Sequence, residues 1–323
     1  MNLHKDPQLF KDAVNMAARP IADGGLGINP LFIEKDYWIC RSLALMVKGD
    51  LNRQTVFKGG TSLSKAYGIG ARFSEDIDIA IIKAKEVSGN QQKNLIKRTA
   101  RNMTVGLEET NTSQSSKGSY YYKAFYAYPQ LVESAFPSSI KTGQILIEIN
   151  SFSNPYPFEV REIQSFLTQF LIQTGNTGMV EDYAMQPFSI QVLDKRRTLT
   201  EKTVSLLRCS LANRPERQLS AKIRHFYDLY FLSLDDATNQ YLHSEAFLSD
   251  LKELFIHDQH QFDEPSGWKE KSIEHSPLLS SFEKIWKPLE VVYKRELPGL
   301  AYQSIPEATD IKDCFCRILE CLR

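Results

Sequence analysis

The chain has 323 residues, 42% of them hydrophobic, with 39 Lys/Arg balanced by 39 Asp/Glu. That length suits two domains or one domain with a large appendage, and the apolar share is enough for a real core. A net charge of zero gives no global attraction to nucleic acid or membrane, and no apolar run reaches the length of about 18 residues that a transmembrane helix needs.

The N-terminal "MNLHKDPQLF" lacks the apolar stretch of a signal peptide. Five cysteines, an odd number, do not read as a disulfide framework, so a reducing cytoplasm is the expected location. The neutral total hides an asymmetry. Residues 195–224 hold nine Lys/Arg against two Asp/Glu, and residues 231–323 hold ten against seventeen. A polyanion-facing surface is therefore expected in one region only.

In chain order, residues 5–22 and 30–48 read as helices. The second carries its apolar stripe through Leu31, Phe32, Trp38, Ile39, Leu43 and Leu45. "DLNRQTVFKGGTS" is a short strand running into a glycine turn, and "SLSKAYGIG" continues as a short helix. "SEDIDIAII" alternates and is β-branched, hence a strand. Residues 90–109 read as a basic helix. "SYYYKAFYAYPQ" (119–130) and "QILIEINSF" (144–152) read as strands, joined by the turn-like "VESAFPSSIKTG". "PFEVREIQSFLTQF" fits a strand or a helix. From about Pro187 the chain passes from a short strand, "FSIQVL", into helices. These include "SAKIRHFYDLYFLSL", and helix continues to the end with a polar, proline-marked break at 258–278. The order is helices, a strand-rich core, then helices. That is an α+β arrangement, with domains expected at 1–195 and 196–323.

The chemistry concentrates in "FKGGTSLSKAYGIGARFSEDIDIAII", residues 57–82. Side chains alternate along a strand, so Ile77, Ile79 and Ile81 point to one face. Asp76 and Asp78 point to the other, about 7 Å apart. Two carboxylates that close repel unless a cation lies between them, and magnesium takes one or two carboxylates together with substrate phosphates. The preceding glycine turn offers backbone N–H groups, and Thr61 and Ser62 offer hydroxyls, so the pair forms a cradle for a triphosphate. This is the arrangement of two-metal phosphoryl and nucleotidyl transfer. Glu148 in "ILIEIN" lies on the face opposite Ile145, Ile147 and Ile149, and is the candidate third carboxylate. Taken alone, Asp-x-Asp on a strand also fits a charged edge strand.

These residues resemble a known signature. "FKGGTSLSKAYGIGARFSEDIDIAI" resembles that of the AbiEii/MenT-type nucleotidyltransferase toxins, within the DNA polymerase β-like superfamily. "FIEKDYWIC" (32–40), "LDKRRTLTEKTVSLL" (193–207) and "KIRHFYDLYFL" (222–232) resemble other segments of that family. The resemblance spans about residues 30–232; the acidic tail 240–323 carries no motif. It implies a bilobed α+β protein with a polymerase β-like core, a mixed sheet, N-terminal helices and a helical C-terminal lobe. It implies transfer of a nucleotidyl group from an NTP with magnesium, in some members to the acceptor end of tRNA, and a cognate antitoxin. By matching motif, Gly59, Gly60, Thr61 and Ser62 would hold phosphates, and Asp76 and Asp78 would bind the metal. Lys202 and Asp228 would be later active-site residues.

Thr198 and Lys202 lie four apart and share a helix face, where a lysine can meet a triphosphate as a point charge; a solvated surface lysine is the other reading. Asp228 would orient Lys202, bind the base or accept a proton, or else simply pair with Arg224 one turn back. Lys93, Lys97 and Arg101 are spaced as one helical stripe, a track for RNA phosphates or a solvated face. Tyr120, Tyr122, Tyr126 and Tyr128 share a strand face and either stack bases or pack under a helix. Cys314, Cys316 and Cys321 read as ordinary thiols, not a zinc site. The rival acceptor is a protein or small-molecule hydroxyl. The rival class is a nucleotide-binding module without turnover, for which a carboxylate pair would have no use.

Overall fold

The computed structural model describes residues 1–83, 88–110, 112–133 and 143–322. Most of the expected turn "VESAFPSSIKTG", and residues 84–87, lie outside the described residues. The chain divides into two compact units. One comprises Met1–Tyr67 and Phe73–Leu193; the other comprises Gly68–Arg72 and Asp194–Arg323.

The first unit opens with helices α1 (Pro7–Ala17) and α2 (Pro30–Lys48). Asp6 and Asn29 cap them through their side chains, and each has proline in its first turn, where the missing N–H is no loss. The first helix stops at Ala17, short of the expected residue 22, because Pro20 cannot continue it. Strand β1 (Thr55–Lys58) leads directly into helix α3 (Gly59–Tyr67). Then come β2 (Asp76–Ile81), α4 (Gly89–Met103), β3 (Glu108–Thr110), β4 (Ser116–Lys117), β5 (Tyr121–Ala127) and β6 (Gln144–Asn150). The unit ends with β7 (Phe158–Ile163), α5 (Phe166–Gln173), α6 (Thr177–Asp182) and β8 (Phe188–Leu193).

Two expectations are corrected here. The basic helix ends at Met103, and residues 108–110 form an edge strand. The glycines after β1 form the first turn of α3, not a separate turn. "PFEVREIQSFLTQF" holds both elements, a strand followed by a helix.

Among the described residues the eight strands form one sheet, ordered β3-β5-β6-β2-β1-β8-β7, with β4 beside β5. The β2–β6 and β1–β8 pairs are parallel and the other pairs antiparallel, so the sheet is mixed. Ile77, Ile79, Ile145, Ile147 and Ile149 are fully buried on one face, and α2 and α4 pack over it. Trp38 of α2 stacks on Tyr128, 5.5 Å between ring centroids, on that same side.

Helix α2 also buries three charges in succession, Glu34, Lys35 and Asp36. Glu34 accepts from the N–H groups of Leu131 and Val132, at 2.7 and 3.4 Å. Lys35 meets Glu75 at 3.5 Å, and Asp36 meets Lys65 at 2.7 Å.

The second unit is helical: α7 (Lys195–Ser210), α8 (Pro215–Ser220), α9 (Ile223–Ser233), α10 (Asp236–Leu242), α11 (Glu245–Gln261), α12 (Pro277–Glu296) and α13 (Ala308–Glu320). Its core joins Phe226, Phe282, Trp286 and Phe315, whose rings meet at 4.8–6.2 Å. The polar break is shorter than expected, since α11 runs to Gln261 and α12 begins at Pro277. Among the described residues no helix is long and apolar enough to cross a membrane.

Burial raises the Glu34 carboxyl to about 7, against the opposing pull of the Leu131 and Val132 N–H groups. A raised folded-state pKa means that the native state holds the proton longer, so stability falls as pH rises from about 4.5 to 7. Glu34→Gln keeps an acceptor without the charge. Urea unfolding across that window should show a flatter profile for the variant; parallel profiles would mean that Glu34 is ionised throughout.

Candidate active site

Parallel pairing of β2 with β6 sets Asp78 opposite Glu148, and antiparallel pairing of β1 with β2 sets Lys58 opposite Asp78. β5 adds Lys123 opposite Glu148. The face away from the isoleucines thus carries a row across four strands, Lys58–Asp78–Glu148–Lys123, with Asp76 two residues from Asp78. All five side chains are only partly exposed. Lys123 binds the Glu148 carboxylate at 2.7 Å, and the Tyr121 hydroxyl also bonds to Glu148. Burial first, then Glu148 and the two aspartates, push the Tyr121 hydroxyl pKa upward, so it stays a protonated donor.

Next to this row, Gly59 begins α3 at φ +81°. A Cβ there would stand 2.2 Å from Asp78 Oδ2, so only glycine fits beside the carboxylate in this conformation. Thr61 and Ser62 are buried, and each spends its hydroxyl proton inside the fold. Thr61 Oγ1 donates to the Asp76 carbonyl at 2.5 Å and Ser62 Oγ to the Gly59 carbonyl at 2.8 Å. The Thr61 hydroxyl therefore joins α3 to β2, while the Ser62 hydroxyl closes the first turn of α3 on itself. What remains for an anion is the backbone N–H set at the start of α3.

The donor set fits a hard divalent cation. Asp76 and Asp78 supply oxygens on one face, and the glycine brings backbone close to them. Among the described residues no three His, Cys, Asp or Glu side chains gather as a complete metal cage. Two carboxylates completed by substrate phosphates is the set that magnesium accepts. Glu148, the expected third carboxylate, stands in the row with its charge answered by Lys123. Lys58, Tyr121 and Lys123 were not singled out in the sequence. Strand parity could have found Lys123 and Tyr121, since both alternate with the buried Tyr122, Ala124 and Tyr126.

In the second unit Asp228 is buried and held by two cations. Arg72 grips it bidentately, at 2.7 and 2.6 Å, and Lys202 reaches it at 2.7 Å. Burial opposes the Asp228 charge, yet Arg72 and then Lys202 hold its carboxyl far below the usual range. In place of the alternative pairing with Arg224, Asp228 binds Arg72, 156 residues away in sequence. Lys202 is buried, so it is no solvated surface lysine. Burial, then Lys202, push the His225 imidazole well below its ordinary value.

The remaining candidates lie elsewhere. Lys93, Lys97 and Arg101 sit on α4, which covers the isoleucine face, so the sheet separates them from Asp76 and Asp78. Tyr122, Tyr126 and Tyr128 are buried on that face, Tyr128 stacking on Trp38 of α2, while Tyr120 is exposed. Cys314 is buried, and Cys316 and Cys321 are half-buried free thiols.

A family model described as "Nucleotidyl transferase AbiEii toxin, Type IV TA system" matches residues 41–308. No curated protein gives a significant match. Among solved structures, the nucleotidyltransferase toxin MenT4 of Mycobacterium tuberculosis H37Rv is 14% identical, covers 88% of this chain and 98% of its own, and superposes with a TM-score of 0.38. JHP933 of Helicobacter pylori is 18% identical over 79% of this chain and 90% of its own, with a TM-score of 0.35.

Gly59→Ala should lower stability by about 1–2 kcal/mol through its left-handed backbone and should displace the Asp78 carboxylate. Urea unfolding beside a transfer assay checks this; a variant with unchanged stability and turnover would contradict it. Asp228 has a depressed folded-state pKa, so it stabilises above its unfolded value near pH 4, and that stability is lost as pH falls further. Asp228→Asn should lower stability by about 3–5 kcal/mol at neutral pH and flatten the acid limb of the pH profile. An unchanged acid limb would contradict the ion-pair assignment.

Proposed function

The chain belongs to the AbiEii nucleotidyl transferase toxin family, and from that premise we propose that it moves a nucleotidyl group from an NTP to an RNA hydroxyl with magnesium as cofactor. The observation that carries the reading is the shared half-buried face of Asp76 and Asp78 beside the glycine start of α3. A turnover-free module would have no need for two carboxylates facing a triphosphate.

In this reading the backbone N–H groups at the start of α3 receive the phosphates. Asp76 and Asp78 would hold the divalent cation, which when bound offsets charge on the phosphates and lowers the pKa of the attacking hydroxyl. The acceptor oxygen bonds to the α-phosphorus while the bond from that phosphorus to pyrophosphate breaks. Pyrophosphate leaves with the bonding pair, and the hydroxyl proton passes to a carboxylate of the row. Lys58 and Lys123 limit the negative charge that this face accumulates before substrate arrives. In the second unit Asp228 holds the Lys202 amine in place, where a lysine suits a phosphate.

The acceptor is read from charge. Exposed Lys97 and Arg101, with Lys93 on the same helix, lie across the sheet from the carboxylates. They would hold the body of a polynucleotide, tRNA included, and not its reacting end. Membership of a type IV toxin–antitoxin family makes a cognate antitoxin the expected partner.

Incubation with each labelled NTP and total RNA, with magnesium or with chelator, should give labelled RNA only with metal. Asp76→Asn and Asp78→Asn should each lower transfer at least about a hundredfold, while the metal-free protein stays equally or more stable because a repulsion is removed. Near-wild-type transfer by either variant would overturn the metal assignment. Label in protein with RNA absent would overturn the acceptor.

A further inference from the structure

The Glu34-Lys35-Asp36 triplet of α2 has no part in the mechanism above, yet all three side chains are buried. Buried charges need partners. Successive helix positions point about 100° apart, so three in a row reach three different neighbours. Lys35 meets Glu75, the residue immediately before Asp76. Asp36 binds Lys65 of α3 at 2.7 Å and also accepts from the Phe166 N–H, at the start of α5, at 2.7 Å. The Lys65 amine lies 4.2 Å from the Phe166 ring centroid as well.

Lys65 stands one turn beyond Thr61 and Ser62 on α3, a helix of nine residues. A helix that short has little stability of its own, so its direction comes from tertiary contacts. Its first residue, Gly59, supplies conformational freedom and no side-chain anchor. A buried ion pair adds little net stability over a packed apolar pair, so its main effect is on geometry.

We propose that Asp36 is a positioning residue for nucleotidyl transfer: through Lys65 it fixes the direction of α3, and so aims the phosphate-facing N–H groups of that helix relative to Asp76 and Asp78. The neighbouring Lys35–Glu75 contact secures the start of β2 from the same helix. One element, α2, thus holds both halves of the site in register. The role in transfer rests on the nucleotidyl-transfer reading; the anchoring of α3 does not.

The test is the double variant Asp36→Asn/Lys65→Met, which removes the pair without stranding a buried charge. Hydrogen exchange of the amides in Gly59–Tyr67 should quicken about tenfold, with β2 and β6 unchanged. The KM for NTP should rise about tenfold, with a smaller change in kcat. A folded double variant with wild-type exchange in α3 and wild-type KM overturns the proposal. If the wild type transfers nothing, the nucleotidyl-transfer reading fails, and the exchange data still decide whether Asp36 orients α3. If the double variant does not fold, Lys65→Arg keeps the charge but changes the geometry of the pair. A raised KM in that variant supports the positioning role, and a wild-type KM rejects it.

Discussion

Two carboxylates on one face of one strand repel each other, and the first unit is arranged around that repulsion. β2 is uncharged on its isoleucine face and anionic on the other, as the two-residue period of a strand allows. Placing Glu148 beside Asp78 adds a third negative charge. The row is tolerable because Lys58 and Lys123 flank it and Tyr121 donates into it. The same sheet buries the isoleucines on its far side beneath α2 and α4, so the strand that carries the carboxylates is fixed by the core. A face of charges in the metal-free protein is thus held rigidly enough to be a site.

The second unit solves the opposite problem with the same physics. There one buried carboxylate, Asp228, serves two cations. The arrangement directs Lys202, which a lysine on a flexible four-carbon stem would not manage alone. Because Arg72 takes both Asp228 oxygens, the Gly68–Arg72 segment belongs to the second unit, although it lies between α3 and β2 in sequence.

Much of the strand core was legible because period-two alternation is a local signal. Asp76, Asp78 and Glu148 could be placed on a common side of their strands from parity alone. What parity cannot give is the partner across the sheet, so the pairing of Lys58 with Asp78 and of Lys123 with Glu148 appeared only with the register. The glycines looked like a turn because both disfavour helix interiors, but the first turn of a helix accepts them. The alternative pairing of Asp228 with Arg224 rested on a one-turn spacing that local rules favour; the bidentate partner, Arg72, comes from 156 residues away. The family resemblance of "FIEKDYWIC" marked the Glu34-Lys35-Asp36 segment, but the burial of the three charges was not legible, since charged residues in a helix normally mark its solvated face. Hydroxyls beside glycine suggested phosphate ligands, and the structure turns both inward to bind carbonyls.

The claim on which the rest depends is that Asp76 and Asp78 form a divalent-cation site completed by a nucleotide. Manganese is a paramagnetic stand-in for magnesium, and its binding can be followed by electron paramagnetic resonance with a non-hydrolysable NTP analogue. Manganese should bind tightly only when the analogue is present, and that binding should be lost in Asp78→Asn. Equal binding by wild type and Asp78→Asn, or none in wild type with the analogue present, would contradict it.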